Sequence, residues 1–585
     1  MTPTAPLLPP PPDPVWELGG PPEPEAVGLL SEHLSLPPAL SAVLVARGMA
    51  DPDRVRAFLR PRLENLHPPV GLPDADRAVD RILKALDRGE TIFVHGDYDV
   101  DGVCATALLT RWLRHLGGRV VPFVPHRTEH GYDLSAAGVA AAAAAGAALL
   151  VTCDSGIAAH DAVAAARARG MDVVITDHHT PGPTLPPALA VVNPVRGDST
   201  YPEAVLCGAG VAYKLAQLLG ERRGIDPSEL HPLLALVALA TVADLVPLEG
   251  ENRVLVRFGL RFLAHTRMPG LRALLEVAGV RGEVDAGQVG FVLGPRINAI
   301  GRMGAADTAL RLLLTEDRSE ALALARELDE ANRARKEEDR RTLAEALDLL
   351  ARDYDPVRDY GVVLAGEGWH PGVIGIVASR IVERIHRPVV LVALDGGRGR
   401  GSARSVPGVH LYEALHGCAP LLDRFGGHRQ AAGMDVAAHR IDAFRTAFNA
   451  QVRHQLGDRI PVPRLAAGTP LPISQADGEL HRLLEYMAPF GIGNPRPVFW
   501  ARGVELAGRP REVGDGHLKL RFRDAGHELE AIGFGLARRR PPEALASGRV
   551  DALFQLRTHE YRGQVSLQAR LLDLRPAGEG AGEGG

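Results

Sequence analysis

The sequence predicts a multidomain α/β protein with a parallel-sheet domain, a long bridging helix, a second α/β domain and a small C-terminal β-barrel of the OB type. Three observations predict it. From Thr91 to Pro194, apolar runs of strand length alternate with helix-period segments, the signature of βαβ units and a parallel sheet. Residues 317–352 contain neither Gly nor Pro and are rich in Ala, Leu, Glu and Arg. Between Pro495 and Leu574, short alternating segments follow one another closely, as in a small barrel.

In chain order, MTPTAPLLPPPPDP lacks both a basic n-region and an apolar h-region, so residues 1–40 are expected to be a disordered tail and no signal peptide. Residues 41–316 form the catalytic domain. Strands are expected at Ile92–Val94, Ala148–Thr152 and Val173–Thr176, and helices at Val103–Leu116, Ala159–Ala168 and His231–Val242. Ala136–Val151 is nearly all Ala and Gly, too weakly apolar for a membrane span, and reads as a helix followed by a strand. The centre of the 317–352 helix, Asn332–Arg341, is almost entirely polar, as for a helix crossing solvent between domains. Residues 353–458 form the second α/β domain, with strands near Val362–Ala365 and Val389–Leu394 and glycine-rich stretches at 396–405 and 425–434. Residues 459–575 hold the Pro-rich crossing segment and the barrel, and 576–585 are a Gly-rich tail.

At 585 residues the chain exceeds one core, and its 46% apolar and 23% charged content is that of ordinary globular protein. A net charge of −5 excludes a global basic field; residues 501–575 alone carry +4, a weak hint of an anionic partner. The four cysteines form no C-x-x-C pair, which points to buried free thiols in a reducing, cytoplasmic setting.

The chemistry lies in four clusters: HGDYDVDG (95–102), CDSG (153–156), TDHH (176–179) and VADLVP (242–247). The first three follow strand candidates, and parallel sheets collect ligands at their carboxyl ends. Six aspartates and three histidines in one pocket would repel one another without cations among them. His95, Asp97, Asp99 and Asp101 alternate, so an extended segment would aim all four one way, with Gly96 and Gly102 permitting the turns. Two cations sharing a carboxylate fit the set, and Asp154 is the natural bridge. Carboxylates mixed with imidazoles suit Mn²⁺, with Mg²⁺ or Zn²⁺ as alternatives, in the two-ion arrangement that cleaves phosphate esters. A lone DSG or ADL is usually a turn or helix cap. A calcium loop is disfavoured because Leu108 stands where its bidentate Glu belongs.

These four clusters resemble those of the DHH phosphoesterase superfamily. GAGVAYK (208–214), GPRINAIGRMG (294–304), LDEANRARK (328–336), FGGHRQAAGM and PFGIGNPRPVF (489–499) are similar to its bacterial single-strand-specific 5′→3′ DNA exonucleases, over residues 40–575. The resemblance implies DHH, DHHA1 and OB domains. It implies metal ligands at His95, Asp97 (as ligand or as support), Asp99, Asp101, Asp154, His178 and Asp244, and catalytic roles for Asp177 and His179. Arg296, Asn298 and Arg302 would contact phosphates, and Ser402, Arg404 and His428 would bind the substrate end. It further implies a monomer that acts on single-stranded DNA with a 5′ end, beside a single-strand-binding protein and a helicase. In the barrel, Phe499, Trp500, Arg521, Phe522, Arg523 and Tyr561 are candidates for strand contact. Two rivals are a superfamily phosphodiesterase for oligonucleotides or cyclic dinucleotides, and a non-catalytic strand-binding scaffold.

Overall fold

The computed structural model describes residues 12–125, 133–303, 306–545, 548–561 and 563–578. The chain divides into two compact units, Ala57–Ala334 with Met487–Arg496, and Met1–Arg56 with Arg335–Tyr486 and Pro497–Gly585.

The first unit is built on a five-stranded, wholly parallel sheet. Its strands β1 (Thr91–His95), β2 (Arg119–Phe123), β3 (Leu149–Cys153), β4 (Asp172–Thr176) and β5 (Ala190–Val192) run in the order β2-β1-β3-β4-β5. Alternation explains why helices cover both faces. Ile92, Val94, Leu149 and Val151 enter one core with α1 (Val100–His115), α4 (Gly208–Arg223) and α5 (Leu234–Ala243). Phe93, Leu150, Val173 and Ile175 enter another with α2 (Ala136–Ala144) and α3 (His160–Ala168). Each such fully buried side chain contributes about 1.5–3 kcal/mol. The strand order reverses direction between β1 and β3, so the crevice for a ligand opens at their carboxyl ends. A π-helical turn, Val289–Leu293, leads into α6 (Gly294–Met303), and α7 (Arg318–Asp353) follows.

The boundary between the units falls within α7. Its polar centre departs from expectation on one face only: Asn332, Arg335 and Asp339, spaced by three and four, are buried, and Asp339 pairs with Arg380 at 3.0 Å. The other faces of this stretch are exposed, as expected: Arg333, Ala334, Lys336, Glu337, Arg340 and Arg341 face solvent.

In the second unit, β6 (Val362–Glu367), β7 (Val389–Asp395), β8 (Arg398–Arg404), β9 (Arg424–Gly427) and β10 (Ala431–Ala437) form a sheet in the order β9-β10-β8-β7-β6. The barrel strands are β11 (Phe499–Leu506), β12 (His517–Asp524), β13 (His527–Gly533), β14 (Arg549–Tyr561) and β15 (Gln564–Pro576). They close in the order β11-β14-β15-β13-β12 and back to β11, with only β13 and β15 parallel, the five-stranded connectivity of an OB barrel.

The N-terminal segment corrects the expected tail. Val15–Leu18 is a strand parallel to Arg464–Ala467, and helices Pro24–Leu34 and Pro38–Ala46 follow. Trp16 donates its indole N–H to the buried Asp573 at 2.8 Å, Leu30 and Leu40 are buried, and a proline opens each helix, where its missing N–H costs nothing. Residues 1–11 and 579–585, the rest of the expected tails, lie outside the described residues.

Candidate metal centre

The predicted clusters converge at the carboxyl edge of the parallel sheet, but not through an extended 95–101 segment. After β1 the chain turns at once into α1. Asp99 caps that helix, accepting from Gly102 N at 3.0 Å, and Asp101 lies in its first turn. Gly102 is required, because a Cβ there would stand 2.5 Å from Asp97 N and O. Asp154 follows β3 in the left-handed region (φ 59°), which an aspartate tolerates better than most residues. Asp177, His178 and His179 follow β4, and Asp244 is the C-cap of α5.

Among the described residues, three groups of potential ligand atoms lie mutually within 4.8 Å: Asp97, Asp99 and Asp154; Asp154, His178 and His179; and Asp101, His178 and Asp244. Asp154 and His178 are each shared by two groups. His178 Nε2 lies 3.0 Å from Asp154 Oδ1, 3.7 Å from Asp101 Oδ2 and 3.8 Å from Asp244 Oδ2. The 3.0 Å approach lacks hydrogen-bond geometry, and Asp154 Oδ1, like Asp97 Oδ1, is buried and accepts no hydrogen bond. His95 belongs to none of the three groups. It is fully buried at the end of β1 against the Phe123 ring (5.3 Å) and close to Gly138, where a Cβ would stand 2.7 Å from Nε2.

The electrostatics match this geometry. Burial, reinforced by neighbouring carboxylates, pushes Asp97 up to about 7 and Asp244 up to about 8, and raises Asp101 and, further, Asp154. Buried carboxylates that repel one another and bare unpaired oxygens are what divalent cations relieve, so the donor set fits hard or borderline ions. Asp177 behaves differently. Burial opposes its ionisation, yet the His179 side chain and the backbone N–H groups of Ile157, His178 and His179 hold it below the usual range. In return the Asp177 hydrogen bond at 2.7 Å pushes His179 up to about 9.

Several contributors carried weaker sequence signals. The start of α4, the GAGVAYK stretch, donates Gly208 N and Ala209 N to the two Asp101 oxygens at 2.6 and 2.7 Å. A Cβ on Gly208 would stand 2.5 Å from that of Asp154. Asp133, absent from the predicted set, accepts from Gly156 N at 2.6 Å and so fixes the turn after Asp154; nothing in its sequence context marks it. Ile492 O accepts from Leu248 N at 2.8 Å, so the PFGIGNP stretch braces the loop after Asp244.

Of the expected phosphate contacts, Arg296 is engaged elsewhere: its guanidinium pairs with Asp329 at 2.9 Å and donates to Val292 O at 2.6 Å. Asn298 is half-buried on α6, and the Arg302 side chain lies outside the described residues. In the second unit, Ser402 and Arg404 share one side of β8 and touch, Arg404 Nη1 to Ser402 Oγ at 3.2 Å. Gly375 leaves room beside both. Ala431 pairs with Arg404 across the sheet and accepts from His428 N at 2.9 Å, which brings the exposed His428 turn to the same end of β8. In the barrel, Phe499 and Phe522 are core residues packed on Phe554, while Arg521 and Arg523 pair with Glu528; the Tyr561 side chain lies outside the described residues.

Comparison with known proteins agrees at each level. Residues 91–241 match the DHH family N-terminal domain, 359–454 the DHHA1 domain and 468–573 the RecJ OB domain. The single-stranded-DNA-specific exonuclease RecJ of Thermus thermophilus is 39% identical over 559 residues, 93% of this chain and 78% of the relative. That of Salmonella typhimurium is 38% identical over 563 residues, 92% and 96%. The crystal structure of Thermus thermophilus RecJ in complex with Mn²⁺ superposes with a TM-score of 0.80 at 34% identity, covering 96% of this chain and 79% of that one; its complex with Mg²⁺ gives 0.75. The chain belongs to the RecJ family of single-stranded-DNA-specific exonucleases.

Proposed function

We propose that this protein degrades single-stranded DNA from the 5′ end to 5′-mononucleotides, in recombination and repair, using two divalent ions, Mn²⁺ or Mg²⁺. The observation that carries it is the set of three interlocking ligand groups sharing Asp154 and His178, in a chain that retains the family's OB barrel. Asp97, Asp99 and Asp154, together with His95 at the end of β1, would hold one ion, and Asp101, His178 and Asp244 the other. When bound, such ions activate water and offset charge on the departing oxygen.

The remaining work falls to the chain itself. The Asp177 hydrogen bond pushes His179 up to about 9, its side chain is 44% exposed, and Asp177 engages its Nδ1. Its Nε2 is therefore assigned to a non-bridging phosphate oxygen, where a preoriented donor stabilises developing charge. Asp177 orients this ring and the loop carrying His178. Ser402, Arg404 and His428 are assigned to the terminal phosphate, because an arginine fork beside a hydroxyl and glycine-exposed backbone suits an anion. Asn298 and Arg302 are kept as phosphate contacts along the strand. A monomer working beside a single-strand-binding protein and a helicase, in the cytoplasm, completes the reading. Four free, buried cysteines support that compartment, and among the described residues no helix is long and apolar enough to cross a membrane.

The test is Mn²⁺-dependent digestion of 5′- and 3′-labelled single strands. Labelled mononucleotide should appear at once from the 5′-labelled strand and late from the 3′-labelled one. Activity confined to a dinucleotide would overturn the reading in favour of a short-substrate phosphodiesterase.

A further inference from the structure

The lysine that ends the GAGVAYK stretch takes no part in the site described above, yet it is fully buried. Lys214 Nζ lies 2.5 Å from Oε1 of the equally buried Glu251 and donates to His67 O at 2.7 Å. Glu251 Oε1 also accepts from His67 N at 2.8 Å, and Glu251 Oε2 accepts from the Tyr201 hydroxyl at 2.5 Å. Burial lowers the Lys214 ammonium from the usual lysine range. A buried ion pair adds little net stability, because desolvation offsets the attraction and apolar side chains of similar volume often do as well. What it supplies instead is a single permitted arrangement, since a small slide of either partner leaves both charges unpaired.

The two helices that this pair joins each govern one metal ligand. Lys214 lies on α4, whose first amides, Gly208 N and Ala209 N, hold the two oxygens of Asp101. Glu251 lies in the first turn of the helix Gly250–Ala264. That helix runs tight against α5: a Cβ on Gly259 would stand 2.2 Å from Leu234 O and 2.6 Å from Ala238 Cβ. α5 presents Asp244 as its C-cap, fixed where Leu245 N and Val246 N close back on Val242 O and Thr241 O at 3.3 and 3.1 Å. A second tie runs the same way, from Asn252 Nδ2 to the carbonyl of Val205, just ahead of the Cys207 cap of α4. Asp101 and Asp244 thus hang on helices locked together at Lys214 and Glu251. Asp99 and Asp154 are held by other contacts, Asp99 by Gly102 N within α1 and Asp154 N by Thr176 O.

We propose that Lys214 and Glu251 are positioning residues that preorganise one ion site, formed by Asp101, His178 and Asp244, and leave the group of Asp97, Asp99 and Asp154 unaffected. This rests on the two-ion reading above and deepens it, because it makes the two sites separable.

The experiment is calorimetric Mn²⁺ titration of chelator-stripped protein, beside melting temperature and the Mn²⁺ dependence of nucleotide release. The proteins are the wild type, the double variant Lys214→Met with Glu251→Gln, and Tyr201→Phe. The double variant leaves no charge buried alone, so its metal-free melting temperature should stay near that of the wild type. The wild type should bind two ions. In the double variant one ion should bind as before and the other about tenfold more weakly, the lower end of what loss of a ligand's support costs. Half-saturating Mn²⁺ for nucleotide release should rise by the same factor, with kcat recovered at high Mn²⁺. Asp244→Asn identifies the weakened ion: combined with the double variant, it should leave the affinity of its remaining ion unchanged. Tyr201→Phe, which loosens Glu251 but keeps the pair, should weaken the same ion by a smaller factor, and it decides the matter should the double variant not fold. Wild-type affinity for both ions, or both weakened alike, would overturn the proposal and reduce the pair to a structural one. A wild type that binds fewer than two ions would instead remove the two-ion reading itself, which the wild-type titration shows separately.

Discussion

Gly208→Ala offers a sharp test of how the metal centre is built. A methyl group at Gly208 would stand 2.5 Å from Asp154 Cβ, 2.8 Å from its Cγ and 2.9 Å from its Oδ1. Unstrained carbon pairs sit at about 3.5–4.0 Å, so the two elements must separate by roughly 1 Å. Asp154 has little room to yield, since it is buried at φ 59° and its N–H bonds Thr176 O at 3.0 Å. The start of α4 must move instead, and with it the two amides that hold Asp101. One substitution thus displaces Asp101, a member of the group it forms with His178 and Asp244. Overpacking of this kind costs about 1–3 kcal/mol of stability, which a folded domain survives. A misplacement of about 1 Å at a reacting centre costs on the order of 100-fold in rate. Gly210→Ala is the control, because its Cβ would meet Leu206 at an ordinary 3.4 Å and would gain helix propensity. Calorimetric Mn²⁺ titration of chelator-stripped protein and nucleotide release are the assays. Gly208→Ala should remain folded, bind Mn²⁺ at least tenfold more weakly and lose about 100-fold in rate, while Gly210→Ala matches wild type. A Gly208→Ala protein with normal Mn²⁺ affinity and a rate within threefold of wild type would refute the close approach as a determinant of the site.

Asp154→Asn keeps a side chain that tolerates φ 59° while removing the shared charge; it should abolish nucleotide release and raise the melting temperature of the metal-free protein, and a drop in that temperature would contradict the repulsion argument. Asp177→Asn removes the carboxylate that pushes His179 up to about 9. The alkaline limit of kcat should then fall by roughly two pH units, toward an ordinary imidazole, and an unmoved pH profile would separate His179 from the rate. For the metal-free protein, Asp97 (about 7) and Asp244 (about 8) stay protonated when folded at pH values where the unfolded chain has lost those protons. Its stability should therefore fall as pH rises from about 4 to about 8. Mn²⁺ requires the same carboxylates deprotonated, so its gain in melting temperature should be larger at pH 8 than at pH 6, and scanning calorimetry that shows the reverse would reject the assignment.

Much of this was legible in the chain because period and punctuation carry local structure. The strands before HGDYDVDG, DSG and DHH were readable as apolar runs, and α7 matched its Gly- and Pro-free stretch to within a residue at each end. Side-chain commitments over long sequence separations were not legible. Arg296 resembled a phosphate ligand, but only folding brings Asp329 onto it. Val15–Leu18 looked like tail because its pairing partner lies at Arg464–Ala467. Asp133 supports the turn after Asp154 from a stretch with no periodic signal. Phe499 and Phe522 looked like stacking residues and proved to be core, since composition does not say which face of a barrel strand points inward.

How donors are distributed over the acidic residues explains how six aspartates divide their roles. Asp177 receives N–H groups from Ile157, His178 and His179 besides the His179 ring, and it is held below its ordinary range. Asp101 receives two amides, one on each oxygen, and Asp99 receives one. Each of those oxygens keeps a second lone pair for a cation. Asp154 Oδ1 and Asp97 Oδ1 receive none, although both are buried. A buried carboxylate oxygen without a donor is costly unless a cation completes it. Asp177 thus has its oxygens committed to several internal donors, whereas Asp97, Asp99, Asp101 and Asp154 keep lone pairs open to a cation. On this ground we propose that Asp97, whose role as ligand or support its sequence context left open, is a ligand, and that Asp177 supports His179.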